Sequence, residues 1–161
     1  MEAREASHRG LLPDHAVDWM RTQMDAGRWE AILRGPRRPT YEIVVAQVKG
    51  EVVAYADWSC EREGTSGGEV GELLSLFVSP PHWNLGVGGE LLRYAEVRLH
   101  RLGFTDAILW VLQDNQRARR VYERGGWVAD GTSANLDLGG CLVGQLRYRK
   151  ALHRSAVPSS G

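Results

Sequence analysis

The sequence predicts a mixed α/β domain, a single layer of sheet with helices on its faces. Three observations carry that prediction. Residues 41–48 and 51–58 are two runs rich in Val, Ile and Ala, joined by Lys49-Gly50, which is the pattern of an antiparallel hairpin. Residues 73–78 and 107–112 are continuous apolar runs with one helical segment between them, as in a parallel crossover buried on both faces. A glycine-rich turn, Gly86-Val87-Gly88-Gly89, opens that helical segment.

The 161 residues fit one domain, assigned to residues 1–154, with 155–161 as a disordered tail. The 20 basic and 20 acidic residues balance, so no net charge points to nucleic acid or to a membrane surface. No apolar run approaches the length of a membrane span. Arginines crowd the second half, among them Arg93, Arg98, Arg117, Arg119 and Arg124. They read either as solvated helix faces or as a positive rim for a polyanionic ligand. Cys60 and Cys141 lack metal-ligand spacing, and the histidines form no pair at helical spacing, so no metal site is expected. Free thiols and no secretory leader lead to the expectation of a cytoplasmic protein.

Residues 3–9 read as the end of a helix, stopped by Gly10. Pro13-Asp14 starts another, with Val17, Met20 and Met24 on one face and Gly27 at its end. Trp29, Ile32 and Leu33 suggest one more short turn of helix before the loop at 35–39. After the hairpin, residues 61–68 are polar and glycine-containing, the expectation being a mobile surface loop. Pro80 and Pro81 end the strand at 73–78. Leu91, Leu92, Ala95, Leu99 and Leu102 follow at helical spacing over 87–102, and Gly103 closes that helix. Asp114 or Asn115 caps the next helix, which carries Ala118, Val121 and Tyr122 on one face and stops at Gly125-Gly126. Residues 127–129 open a strand, 133–140 read as a polar connection, and 142–148 form a last strand. The predicted order is α-α-β-β-β-α-β-α-β-β.

A helix opened by glycines points unpaired amides and about half a positive charge at whatever lies ahead of it. That is an anion site suited to phosphate. Two common phosphate loops do not fit. The lysine of a P-loop is absent after Gly86, and the third glycine of a dinucleotide fingerprint would fall on Leu91.

More specific is Asn115-x-x-Ala118-x-x-x-Tyr122-x-x-x-Gly126-Trp127, which follows the second parallel run. Taken with Trp83-Asn84-Leu85-Gly86-Val87-Gly88, it resembles the GCN5-related N-acetyltransferase (GNAT) superfamily over residues 41–152. The pyrophosphate motif of that family is [Gln/Arg]-x-x-Gly-x-[Gly/Ala]. Here Trp83 holds its first position and Leu85 stands where a basic residue is common. The resemblance implies a GNAT fold, a mixed central sheet whose two parallel strands splay, here without the usual first strand. It implies an N-acetyltransferase with acetyl-CoA as cosubstrate. The pyrophosphate would rest on the amides of Leu85, Gly86, Val87, Gly88, Gly89 and Glu90. The pantetheine arm would pair like an extra strand with Leu76, Phe77 and Val78, and an amide near Phe77 or Val78 would polarise the thioester carbonyl.

Transfer to an amine moves two protons. Stripping one from an ammonium of pKa ~10.4 costs roughly 4–5 kcal/mol at pH 7, and a carboxylate can take it. Glu72 is the candidate, at the spacing of the glutamate base in the histone-acetylating branch of the family; Glu69 is the runner-up. The other reading of Glu72 is a strand-end charge facing solvent. Tyr122 is the candidate acid for the departing thiolate, against the reading of a packed aromatic. Asn115 has two compatible readings, helix cap and hydrogen bond to the pantetheine arm. No cysteine sits in the motif, so direct attack in a ternary complex is expected. The expected acceptor is a primary amine of a small molecule. A protein N-terminus or lysine is the alternative, and a non-catalytic acyl-CoA-binding module is the reading from another class. Trp29, Trp58, Trp83 and Asp57 are the candidates for the acceptor side. Without the usual first strand the hairpin keeps an uncovered edge, and a homodimer through that edge is the corresponding expectation.

Overall fold

In the computed structural model the described residues are 2–23, 26–35, 40–60 and 70–152. Three helices come first: α1 (Glu2–His8), α2 (Asp14–Gln23) and α3 (Ala26–Arg34). The chain continues through β1 (Glu42–Val48), β2 (Glu51–Cys60), β3 (Val70–Val78), a 3-10 turn at Pro80–His82 and α4 (Val87–Arg101). It ends with β4 (Asp106–Leu112), α5 (Gln116–Arg124), β5 (Val128–Asp137) and β6 (Leu142–Ala151). The six strands form one sheet in the order β1-β2-β3-β4-β6-β5. Only β3 and β4 pair in parallel, across the α4 connection.

Local chemistry accounts for these elements. Lys49 (φ 52°) and Gly50 (φ 86°) are both left-handed, as a two-residue hairpin turn between right-twisted strands requires. On α4, Leu91, Leu92, Ala95 and Leu99 are buried, and they pack on Trp58, Leu73, Leu109 and Tyr148 of the sheet. Each such leucine contributes about 1.5–3 kcal/mol of burial. On the opposite face, Leu12, Ala16, Val17 and Met20 from α2 and its approach pack with Leu112 and Leu138.

The structure corrects two expectations. The short turn read around Trp29 is a full nine-residue helix, so three helices precede the sheet. Residues 133–137 are not a polar connection. They belong to β5, which pairs with β6 from Ser133↔Leu146 to Asp137↔Leu142 after a bulge past Ala129. Nearly every residue of β5 is exposed, because it is an edge strand with no layer over it. Its polar sequence therefore carries no burial signal. The 61–68 loop, Glu69 and the 155–161 tail lie outside the described residues. Among the described residues β1 is the other edge of the sheet, and both cysteines are free.

One irregularity matters for the site. Asp57 pairs with Ser75 and Trp58 with Leu73, so Leu74 is an extra residue on β3. Below this bulge Gly71 and Leu73 face α4: a Cβ on Gly71 would lie 2.5 Å from Leu99 Cδ2. Above it Leu76 and Val78 face α4, each within 4 Å of where a Cβ on Gly88 would be. A bulge bends a strand and adds twist, and here the strand bends away from its parallel neighbour.

Candidate active site

The β3–β4 ladder stops at Leu73↔Leu109, although both strands run on. Past that rung β4 pairs with β6 and β3 pairs with β2. The strands splay, and a cleft of about 590 Å³ fills the wedge between them. Its walls come from β3, β4, the first turn of α4 and the inner face of α5.

The ladder phase decides which backbone groups face the wedge. The Ser79 amide donates to the Val53 carbonyl (2.8 Å). By the two-residue alternation of an antiparallel pair, Phe77 and Ser75 also turn their polar groups to β2. Leu76 and Val78 turn theirs to the cleft. The expected roles of Leu76 and Val78 are thus geometrically open, whereas the Phe77 amide is committed to β2. The Phe77 side chain lies on the other face of the sheet, against His8 (5.8 Å) and Tyr55 (5.3 Å). The Val78 carbonyl already accepts from the Trp83 indole N–H (2.7 Å).

At the cleft's end Gly86 caps α4 with φ 85°, a left-handed conformation that favours glycine. The first intrahelical bond runs from the Glu90 amide to the Gly86 carbonyl (3.0 Å). Glu90 therefore has no amide to offer an anion, and its carboxylate pairs with Arg93. The amides of Leu85, Gly86, Val87, Gly88 and Gly89 find no backbone acceptor among the described residues, as the start of any helix leaves them. A Cβ on Gly88 would project toward Val78, Leu76 and Val121 at 3.6–3.9 Å, into the gap between β3 and α5. The bare backbone there keeps open the channel that a pyrophosphate and pantetheine arm need, so the loop fits the cosubstrate.

On α5, Asn115 is the N-cap, its Oδ1 accepting from the Ala118 amide (3.1 Å), and it lines the cleft. Tyr122 lines the cleft as well and is buried, with Trp127 and Tyr148 around its ring. Burial pushes its phenol pKa well above the ordinary value. Of the arginines, Arg93, Arg117 and Arg124 line the cleft. Arg98 is instead paired with Glu42, and Arg119 donates to Tyr148. The Arg117 guanidinium stacks 3.5 Å from the Trp83 ring centre, so Trp83 braces the cleft mouth against α5.

Glu72 is placed differently. It is buried rather than solvent-facing, on the rung just below the splay, and it lines neither the cleft nor the cavity described next. Trp58, 1% exposed, belongs to the core beneath α4 and lines neither this cleft nor the cavity described next. Asp57 is also buried, with Oδ2 accepting from the Tyr41 hydroxyl (3.0 Å).

On the face opposite α4, a second cavity of about 380 Å³ lies between the N-terminal helices and the β1–β2 hairpin. Val17, Trp29, Ile43 and Tyr55 give it an apolar, aromatic wall, with Trp29 edge-on to Tyr55 at 5.1 Å. It meets the cleft at Arg4, His8 and Met20, which line both. His8 Nδ1 lies 2.8 Å from the Arg4 carbonyl oxygen. A carbonyl only accepts, so Nδ1 carries the proton and Nε2 keeps its lone pair. Burial lowers the His8 pKa; the bond to the Arg4 carbonyl opposes this, and the charges of Arg4 and Arg117 add to it. The ring is therefore neutral near pH 7.

Sequence reasoning passed over Arg4 and His8. Read alone, residues 3–9 look like a helix end. The available signal was their i, i+4 spacing, which sets both side chains on one face of α1.

The model of the acetyltransferase (GNAT) family matches residues 5–127, more than half of the chain. A probable N-acetyltransferase of Mycobacterium tuberculosis is 38% identical over 85 residues, 52% of this chain and 46% of that protein. The mycothiol acetyltransferase of Geodermatophilus obscurus is 38% identical over 65 residues, 40% of this chain and 21% of that protein. These matches thus span less than half the length of either relative. The PaiA N-acetyltransferase of Thermoplasma acidophilum, solved in complex with coenzyme A, superposes with a TM-score of 0.73 at 18% identity, covering 93% of this chain and 86% of that one. At that identity the likeness is one of fold.

Proposed function

We propose that this chain, which belongs to the acetyltransferase (GNAT) family, acetylates the primary amine of a small molecule by direct attack in a ternary complex. Acetyl-CoA is the cosubstrate of the family. The observation that carries the reading is the meeting of two cavities where β3 and β4 part. One is a long wedge ending at free helix amides. The other is small, bordered by three helices and the β1–β2 hairpin, and of a size that suits a small ligand.

Bound acetyl-CoA supplies the thioester: the amine nitrogen bonds its carbonyl carbon, the C–S bond breaks, and amide and thiol result. Every other contribution falls to the chain. The amides of Leu85 to Gly89 hold the pyrophosphate, aided by the positive end of α4. Leu76 and Val78 offer backbone partners to the pantetheine, and one of their amides polarises the carbonyl. Asn115 keeps its capping role while bordering the same arm. Tyr122 gives a proton to the sulfur. Its burial keeps the phenol protonated throughout the physiological range, so the donor form is always present.

An ammonium acceptor loses two protons overall, one matched by the thiol and one released to solvent. We assign the acceptance of the released proton to His8 Nε2 rather than to Glu72. His8 stands at the junction with an Nε2 lone pair that no described residue takes up, whereas Glu72 lines neither cavity.

The test is a panel of small primary amines with acetyl-CoA, read as thiol release and as a 42-dalton product gain by mass (about one acetyl group). Turnover with small amines at rates above those with peptides is the expected result. Tight acetyl-CoA binding with turnover only on peptides or protein termini overturns the small-molecule reading. Tight binding with no acceptor of either kind overturns the enzyme reading.

A further inference from the structure

Among the described residues, one charge of the acceptor cavity has no ion-pair partner. Arg4 lines both the cavity and the cleft, and it is half-buried. It forms no ion pair among the described residues. The other charged groups of the cavity are Glu5 and Arg21, which pair with each other (3.6 Å), Arg21 also pairing with Asp18. The carboxylate nearest in effect to Arg4 is Asp57, which accepts from Tyr41 and lines neither cavity. A guanidinium stripped of part of its water favours a carboxylate or other planar anion over any neutral partner. Apart from His8 and the Tyr55 hydroxyl, the rest of the wall, including Trp29 and Ile43, is apolar.

We infer that the acceptor is an amino acid, its carboxylate held by Arg4 and an aromatic or large apolar side chain seated against Trp29 and Tyr55. The inference rests on the acetyl-transfer reading above and sharpens it. In such an acceptor the amine is one carbon from the carboxylate. Holding the carboxylate at Arg4 therefore brings the amine to the junction, beside His8 Nε2 and the mouth of the wedge. The same cation disfavours the ammonium form of a nearby amine and so eases loss of its proton. It also repels polyamines, whose second charge meets no unpaired carboxylate among the described residues of this cavity.

The experiment compares acceptors that differ only by the carboxylate. In the full chain, kcat/KM for phenylalanine is expected to exceed that for phenethylamine by roughly 10- to 100-fold, the range of a charge-assisted hydrogen bond. Arg4→Gln brings the ratio close to one, and Arg4→Lys restores part of it, which separates loss of recognition from loss of fold. The binding of the two products, N-acetylphenylalanine and N-acetylphenethylamine, is measured in parallel by calorimetry. If both amines are acetylated equally well, acetyl transfer stands and the carboxylate site falls. If neither amine turns over but N-acetylphenylalanine binds more tightly through Arg4, the carboxylate site stands and the transfer reading falls. If neither turnover nor binding distinguishes the pairs in the wild type, the inference is overturned.

Discussion

Replacing Gly88 by alanine separates the stability of the fold from its affinity for acetyl-CoA. Gly88 occupies the first turn of α4, where helical φ suits any residue. A methyl group there would sit 3.6 Å from Val78 Cγ2, 3.8 Å from Leu76 Cδ2 and 3.9 Å from Val121 Cγ1, all ordinary contacts. The fold loses nothing by steric overlap, and helix propensity favours alanine by up to about 1 kcal/mol. The free chain should therefore unfold at the same denaturant concentration as the wild type, or slightly higher. The methyl group nevertheless projects into the gap between β3 and α5 that the cosubstrate must thread. Overfilling a packed contact costs roughly 1–3 kcal/mol, a 5- to 150-fold rise in Kd. Gly88→Val adds two more methyl groups at the same point and should abolish measurable binding. Urea unfolding and acetyl-CoA calorimetry on the same preparations read both quantities. An unchanged Kd in Gly88→Ala, with the fold intact, refutes the route assigned to the pyrophosphate. A large loss of stability refutes the packing argument.

Three further outcomes follow from the site. Tyr122→Phe should lower kcat by about 10²- to 10⁴-fold with little change in acetyl-CoA affinity, and an unchanged kcat removes the hydroxyl from the chemistry. His8→Gln should lower kcat/KM most at neutral pH and flatten the acidic limb of the pH profile, while Glu72→Gln should leave that limb in place; the reverse pattern would return the base to Glu72. Burial also raises the pKa of both Tyr55 and Tyr122 above that of unfolded tyrosine, ~10. The folded chain then holds more protons than the unfolded one above pH ~10. Their contribution is whole below that pH and shrinks by about 1.4 kcal/mol per pH unit for each ring above it. Urea unfolding at pH 9 and pH 11 should show a smaller loss in Tyr122→Phe than in the wild type, and equal losses would contradict the burial argument.

The parts of this chain that were legible in its sequence are those buried on one side or on both. The α4 stripe of Leu91, Leu92, Ala95 and Leu99 and the run ending at Leu112 declare themselves through apolar spacing, because burial selects it. Gly86 and Asn115 were legible for a different reason: a left-handed cap and a side-chain cap each demand few residue types. What escaped notice lacks such a demand. The second half of β5 is an exposed edge, so its polar residues look like a loop. Glu90 belongs to the glycine loop by sequence, but the i→i+4 geometry of the helix takes its amide. The placement of Glu72 follows from strand phase, which spacing to Gly86 does not encode. Arg4 and His8 acquire meaning only when α1 packs across the sheet at the mouth of the wedge.

The extra residue at Leu74 gives the chain a way to retune its chemistry without refolding. Everything N-terminal to it on β3 is locked to α4 through Gly71 and Leu73, and everything C-terminal to it answers to the wedge. Deleting that single residue would exchange the parity of the upper strand. Leu76 and Val78 would surrender their inward-facing amides to their neighbours, while the lower rungs kept their partners. A one-residue indel here acts as a vernier between scaffold and reaction centre. In this chain a change of reactivity therefore has a place to arise that a comparison of side chains alone would pass over.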